Sequence, residues 1–485
     1  METMSRSHGQ GAWVLLFLAF IAQTFLASCA SRPVNEPITQ VDPQSGYRPS
    51  LLVPARESNE LSTLFILSFS GGGTRAAALS YGVLEELNRV EFTTADGQKR
   101  RLIDEVDLIS GVSGGSFTAL AYALYGDQLF EEYEQRFLKR NVQSALARRS
   151  FLNPVNWFRL MSGNFGRSEL AAEYYDEILF EGATFNDLIG KDGPVAIANG
   201  TDITTGSRLA FFQDEFDLMC SNLGTVPLSR AAATSSAVPT VLSPVTFNNY
   251  GGTCGYDYPP WVQDILALDP SMRPAGRTLE RYRQMAEFRD GANRPYIHLV
   301  DGGVSDNIGV RGIMEVFEAS LISQEFTKQR KLDLVRNVVL IVVNARSEQP
   351  KDWQKKESPP GSIKQLIQSS GVPIERYSHE TIELMKDRAE IQTWRRRMLI
   401  AEAQLDGMSK QEAEAAFPEV KLYVMDISFE AIQDPQERAY FMALPTSFVL
   451  EDEAVDQLRG IAGRLMNQSL VYQTILKDID FTESP

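Results

Sequence analysis

The chain has 485 residues, 43% of them hydrophobic and 23% charged, with 34 Gly and 23 Pro. That length suits one elaborated domain or two smaller ones, and the composition excludes collagen-like and wholly disordered chains. A formal net charge of −16 sets the surface against phosphate backbones and argues against nucleic acid as a partner; contact with an anionic membrane would have to come from apolar groups or a local basic patch.

Arg6 is the only Lys or Arg before an uncharged run over residues 9–30, whose apolar heart is 12–22. That heart is short for a spanning helix, which takes about 20 apolar residues, and it fits a cleaved leader. The run ends Leu26-Ala27-Ser28-Cys29, which resembles the lipobox of bacterial lipoproteins. The resemblance implies cleavage after residue 28, a diacylglycerol on the sulfur of Cys29 and a membrane-anchored exported protein. Ala30, in place of Asp, implies the periplasmic face of a Gram-negative outer membrane. An ordinary secretory leader or an uncleaved anchor helix are the alternatives. Residues 29–60 are polar, rich in Pro and Ser and without periodicity, which reads as a tether. Three Cys in an exported chain leave one over. With Cys29 set aside, Cys220 and Cys254 either pair across 34 residues or stay as two buried thiols.

The first strand expected is 64–69, closed by Ser70-Gly71-Gly72-Gly73 and followed by a helix over 74–90. The plan repeats at once: a strand at 106–110, a glycine turn at 111–115 and a small-residue helix over 117–125. This alternation argues for an α/β domain with a largely parallel sheet and a site beyond the carboxyl ends of its strands. Further strands are expected at 195–199, 208–212, 296–300, 338–343 and 420–425. Residues 244–295, rich in Pro, Gly, Tyr and Asn, read as an insertion or lid within a core of 61–345. Residues 346–485 read as a helical and strand extension packed on that core, with helical patterns at 362–404 and 453–476.

Gly111-Val112-Ser113-Gly114-Gly115 matches G-x-S-x-G between an expected strand and helix. A serine on so sharp a turn is held in a strained backbone conformation, and small neighbours leave its hydroxyl exposed to a substrate. The following helix adds backbone donors and a positive dipole end for developing negative charge. Gly71-Gly72-Gly73-Thr74-Arg75 is a second strand-to-helix turn, whose bare N–H groups can form an anion nest. It lacks the continuation of a nucleotide-binding loop, whereas an oxyanion hole needs only donors close to the serine.

Serine needs a base, and the chain has three His. His8 lies in the leader, His379 among charged helix residues reads as solvated, and His298 within an apolar strand reads as a core residue. Asp301, in Asp301-Gly302-Gly303 at the end of that strand, is the other candidate, with a tight turn as its bland alternative. A free Asp has a pKa of about 3.9, so burial must raise its basicity. Residues 151–161 mix apolar and basic groups and read as an internal helix, with an interfacial lid as the alternative. Trp394-Arg395-Arg396-Arg397 reads as a solvated helix face.

Taken in order, the Gly71–Arg75 turn, the Ser113 turn and Asp301-Gly302-Gly303 resemble the motifs of patatin-like phospholipases, as does Ala233-Thr234-Ser235-Ser236-Ala237-Val238-Pro239. The likeness covers about 64–310. The leader together with Leu444-Pro445-Thr446-Ser447-Phe448 looks like a bacterial membrane-anchored branch. The resemblance implies a three-layer α/β/α sandwich and hydrolysis of lipid acyl esters by a Ser113–Asp301 dyad. Gly71, Gly72, Gly73, Arg75 and Gly114 would form the oxyanion and substrate-binding surroundings, Arg75 by steadying the loop, with a surface arginine as the alternative, and with no metal or organic cofactor. Phospholipase A or lysophospholipase is the expectation; a carboxylesterase, a thioesterase, or an idle member binding lipid or protein are the alternatives. Two departures, Ser70 where relatives carry an acid and Ala76 where a glycine is frequent, bear on the geometry of the loop.

Overall fold

The computed structural model describes residues 31–56, 61–94, 97–239, 241–272, 276–348, 352–355 and 357–479. The leader and Cys29 lie outside the described residues. In chain order the elements that build the site are β1 (Thr63–Phe69), α1 (Thr74–Arg89), β2 (Leu108–Val112), α2 (Gly114–Tyr125), α3 (Val142–Phe151), α4 (Pro154–Met161) and α5 (Arg167–Tyr175). They continue with β3 (Val195–Asp202), β4 (Arg208–Ala210), α6 (Leu228–Ser235), β5 (Val245–Asn248), β6 (Tyr296–Asp301) and α7 (Arg311–Ile322). The last are β7 (Asn337–Asn344), α8 (Ser362–Leu405), β8 (Lys421–Ser428) and α9 (Asp452–Gln468).

The main sheet runs β8-β7-β1-β2-β3-β6-β5, with β4 pairing β3 off that path. The five strands from β8 to β3 are parallel, whereas β6 is antiparallel to β3, and β5 is antiparallel to β6. Both faces of the parallel part are covered, which is why β1 and β7 read as continuous apolar runs rather than alternating ones. Phe65, Leu67, Phe69, Ile341 and Val343 face a core shared with α1, α2 and α9. Ile66, Leu340 and Val342 face a second one, closed by Ile313 and Met314 of α7 and Ile382 and Met385 of α8. Period-two alternation along each strand thus yields the three α/β/α layers.

The C-terminal part completes the fold instead of merely packing on it: β8 pairs with β7 along its whole length, and α9 crosses α1. Gly82 makes that crossing close, since a Cβ there would stand 2.5 Å from Arg459 O.

Three expectations change. The 29–60 tether is overturned where the structure describes it. Tyr47 is buried, and its hydroxyl donates to Ala196 O at 3.0 Å and accepts from Ala196 N–H. Arg48 pairs with Asp217 at 2.7 Å, and Asn35 donates to Ser221 Oγ at 2.8 Å. Long-range side-chain and backbone hydrogen bonds hold this segment, with regular structure confined to short helical turns at 49–55 and a bridge at Pro37, so it shows no periodicity. The insertion is shorter than 244–295, because β5 belongs to the sheet and pairs with β6. Its start is pinned where Cys254 forms a disulfide with Cys220. His298 is exposed on β6, sharing a 2.9 Å hydrogen bond with Thr246, and is not a core residue; β6 lies toward the sheet edge, where one face meets water. His379 is exposed, as expected.

Candidate active site

Parallel pairing of β1 with β2 sets Phe69 opposite Gly111, so the two glycine turns leave the sheet side by side. They touch through bare backbone: a Cβ on Gly114 would lie 2.0 Å from Gly73 O, and one on Gly71 would lie 3.3 Å from Ser113 Cβ. Any side chain at Gly114 would push the turns apart. Ser113 sits at φ 49°, ψ −120°, a conformation L residues rarely adopt. Its N–H donates to Ser235 Oγ at 2.9 Å, and its carbonyl accepts from Ser116 Oγ at 2.6 Å and Ser116 N–H at 3.0 Å.

Asp301 arrives by a different route from the one its sequence context suggested. β6 does not run parallel with β2; it descends antiparallel beside β3 and ends with Asp301 opposite Gly200. On the other side of β3, Val112 stands opposite Asn199, so the aspartate stops at the level of the Ser113 turn. Gly302 permits the approach, since a Cβ there would lie 2.3 Å from Asn199 O. Asp301 N–H donates to Ala237 O at 3.0 Å and Gly302 N–H to Ser235 O at 3.2 Å.

Asp301 is only 7% exposed. Burial raises its pKa from 3.8 to about 6, against the opposing pull of the Gly303 N–H hydrogen bond and of the nearby Ser113 hydroxyl. The Gly303 bond is 2.8 Å. A carboxylate so tuned accepts a proton near neutrality far better than a solvated one.

The Gly71–Gly73 loop packs against the Ser113 turn. Gly71 N–H is taken by Asn307 O at 2.9 Å, whereas the N–H groups of Gly72 and Gly73 donate to no acceptor among the described residues. Gly72 at φ 146° and Gly73 at φ 61° need glycine's freedom to present them. Ser447 backs the loop: Thr74 N–H donates to its carbonyl at 2.8 Å, and a Cβ on Gly73 would lie 2.3 Å from that oxygen.

Arg75 steadies the loop, as its place in the glycine turn suggested, and does so from beneath without lining the site. Its guanidinium is buried beneath the loop and donates to Ala345 O at 2.9 Å, Leu444 O at 2.7 Å and Thr446 Oγ1 at 3.0 Å. Burial pulls its pKa down to about 10. It fastens the loop to the C-terminal segment. The motifs did not single out Asn307, whose Oδ1 lies where a Cβ on Gly71 or Gly303 would stand, at 2.4 and 2.7 Å. Nor did they single out Asp306, which accepts from Gly309 and Arg311 N–H and shapes the turn after Asp301. An aspartate and an asparagine just past Asp-Gly-Gly were the available signal.

No curated protein matches this sequence. Among solved structures, human GIVD cytosolic phospholipase A2 shows 11% identity and a TM-score of 0.32 over 58% of this chain and 43% of that one. Its complex with methyl gamma-linolenyl fluorophosphonate shows 12% identity and a TM-score of 0.38 over 94% and 64%. The chain therefore spans less than two thirds of the length of either. VipD from Legionella pneumophila shows 12% identity and a TM-score of 0.25 over 88% of this chain and 72% of that one. The sequence itself matches the patatin-like phospholipase family over residues 67–314, a stretch that holds both glycine turns, Ser113 and Asp301 and spans half of the chain, which therefore belongs to that family.

Proposed function

We propose that this protein is a serine acyl hydrolase of lipid esters, a phospholipase A or lysophospholipase, with Ser113 as nucleophile and Asp301 as its base. The observation that carries the reading is that Asp301, buried and with its pKa raised to about 6, is held to the Ser113 turn through Ser235, whose Oγ accepts Ser113 N–H and whose carbonyl accepts Gly302 N–H. Ser113 Oγ attacks the ester carbonyl carbon while its proton passes to Asp301. The carbonyl oxygen becomes an oxyanion held by Gly72 and Gly73 N–H and by the N-terminus of α2. Collapse breaks the bond to the alcohol, whose oxygen takes the proton from Asp301. Water then gives a proton to Asp301 and adds to the acyl carbon, releasing a fatty acid and restoring Ser113.

The same reading makes the protein an exported one, lipidated at Cys29 and held at the periplasmic face of the outer membrane. The Cys220–Cys254 disulfide supports an oxidising compartment. Retention of a Cys29→Ser chain in the membrane fraction, with no lipidated N-terminal peptide by mass spectrometry, would remove this part.

The test of the catalytic reading is mass-spectrometric measurement of fatty acid and lysolipid released from phospholipid. Ser113→Ala and Asp301→Asn are each expected to lose at least about 10³-fold in rate. Full activity in Ser113→Ala sinks the reading, and activity on short soluble esters with none on phospholipid makes the protein a carboxylesterase instead.

A further inference from the structure

Residues 151–161 do not form an internal helix. They end α3 and build α4, and the apolar side chains at their tip stand in solvent: Phe151 is 65% exposed, Leu152 73% and Met161 82%, with Val155, Trp157 and Phe158 exposed beside them. A contiguous apolar projection of this kind on a folded surface calls for a partner.

Charge selects which partner. Across residues 139–168 there are six Lys and Arg and not one Asp or Glu, in a chain whose net charge is −16. Arg149 and Arg159 reach back to Glu177 and Glu173 on neighbouring elements, while Arg140 and Arg148 are exposed. An acid-free stretch with six basic residues therefore carries the apolar tip, an arrangement complementary to an apolar interior beneath anionic headgroups.

The tip is also built to leave water cheaply. Trp157 Nε1–H donates to Phe151 O at 2.9 Å, so the ring can enter an apolar layer without stripping its polar group. Asn153 Oδ1 caps α4 by accepting from Val155 N–H at 3.0 Å, Pro154 has no N–H to satisfy, and Asn156 Nδ2 donates to Arg149 O at 3.0 Å.

Both ends of the hairpin are tied to segments that hold the catalytic turns. At the start of α3, Gln143 N–H donates to Phe448 O at 3.3 Å, next to Ser447, which backs Gly73. At the start of α5, Ser168 N–H donates to Ser243 Oγ at 3.1 Å. Ser243 follows the segment whose Ser235 and Ala237 hold Ser113 and Asp301, and Val238 and Val241 of that segment are themselves exposed.

We infer that the α3–α4 hairpin is a docking element that inserts into an anionic lipid bilayer and sets the mouth of the Ser113 site on the membrane surface. The consequence for turnover rests on the hydrolase reading; the docking itself does not.

The experiment uses the full chain throughout, so that the leader contributes equally to every variant. Vesicles of phosphatidylcholine, alone or with phosphatidylglycerol and carrying brominated acyl chains, are mixed with wild type and with Trp157→Phe, and tryptophan quenching is compared. Wild type is expected to show an extra quenched component, absent in Trp157→Phe and stronger with phosphatidylglycerol. A Phe158→Ser/Met161→Ser chain is expected to lose at least tenfold in rate on vesicle phospholipid while keeping its rate on a short soluble ester. Equal quenching in wild type and Trp157→Phe overturns the inference, as does quenching indifferent to anionic lipid. Self-association that the serine variant abolishes, without lipid quenching, would assign the hairpin to a second copy of the chain. A protein inactive on both substrates that still shows the anionic-lipid quenching would sink the hydrolase reading and leave the docking element standing.

Discussion

The backbone N–H of Ser113 donates to Ser235 Oγ at 2.9 Å, joining the Ser113 turn to the end of α6. Ser113 has turned out of the β2–β3 ladder, so its N–H has no strand partner, and a hydroxyl from another element takes it. The same Ser235 accepts Gly302 N–H through its carbonyl. One residue thereby fixes the backbone on both sides of the Ser113–Asp301 pair.

Ser235→Ala leaves a buried N–H unpaired and loosens the turn. We expect kcat to fall by about tenfold to a hundredfold, corresponding to roughly 1–3 kcal/mol, with KM within about twofold and partial rescue by Ser235→Thr. Steady-state kinetics on a soluble ester, with the rate of fluorophosphonate labelling of Ser113, checks this. An unchanged kcat would show that Ser235 is a packing residue only.

As the proposed base, Asp301 would have to be ionised to accept a proton, so kcat/KM is expected to fall as pH drops through about 6. Stability moves the other way. Because burial raises the folded pKa from 3.8 to about 6, the folded state binds this proton more tightly than the unfolded one. The ionised group therefore costs about 3 kcal/mol above pH 6, and the cost fades as pH falls toward 3.8. Asp301→Asn is expected to be inactive yet more stable than wild type at pH 8, the advantage vanishing near pH 4. Taking the difference between the two proteins removes the contribution of Asp107, which burial pushes to about 7. Denaturant unfolding at several pH values measures it; no gain at pH 8 would contradict the desolvated carboxylate.

Arg75 donates to two peptide carbonyls and one hydroxyl in a buried pocket. Lys keeps the charge but cannot span all three. Arg75→Lys is expected to destabilise by about 2–4 kcal/mol and to lower kcat through the displaced Gly72 and Gly73 donors, with KM little changed. Thermal melts together with kinetics test this; a rise in KM alone would make Arg75 a substrate contact instead.

The features readable from sequence are those that local sterics decide. Consecutive glycines at 71–73 and the small residues around Ser113 admit only tight strand-to-helix turns, and the apolar runs of β1 and β7 admit only strands covered on both faces. The doubled strand-turn-helix unit carried the parallel pairing of β1 with β2, and with it the meeting of the two turns.

Tertiary structure decided what has no local signature. The direction of β6 is not written in residues 296–301: a strand reads the same whether it runs parallel or antiparallel, and only pairing with β3 brings Asp301 to the serine. Residues 31–56 look like a tether because their partners, such as Asp217 for Arg48, lie far along the chain. The clamp of Leu444, Thr446 and Ser447 on the Arg75 loop is likewise a contact across more than half of the sequence. Residues 151–161 have the amphipathic makeup of an inward-facing helix and stand outside, because burial belongs to how elements are stacked, and periodicity says which residues share a face without saying what covers it.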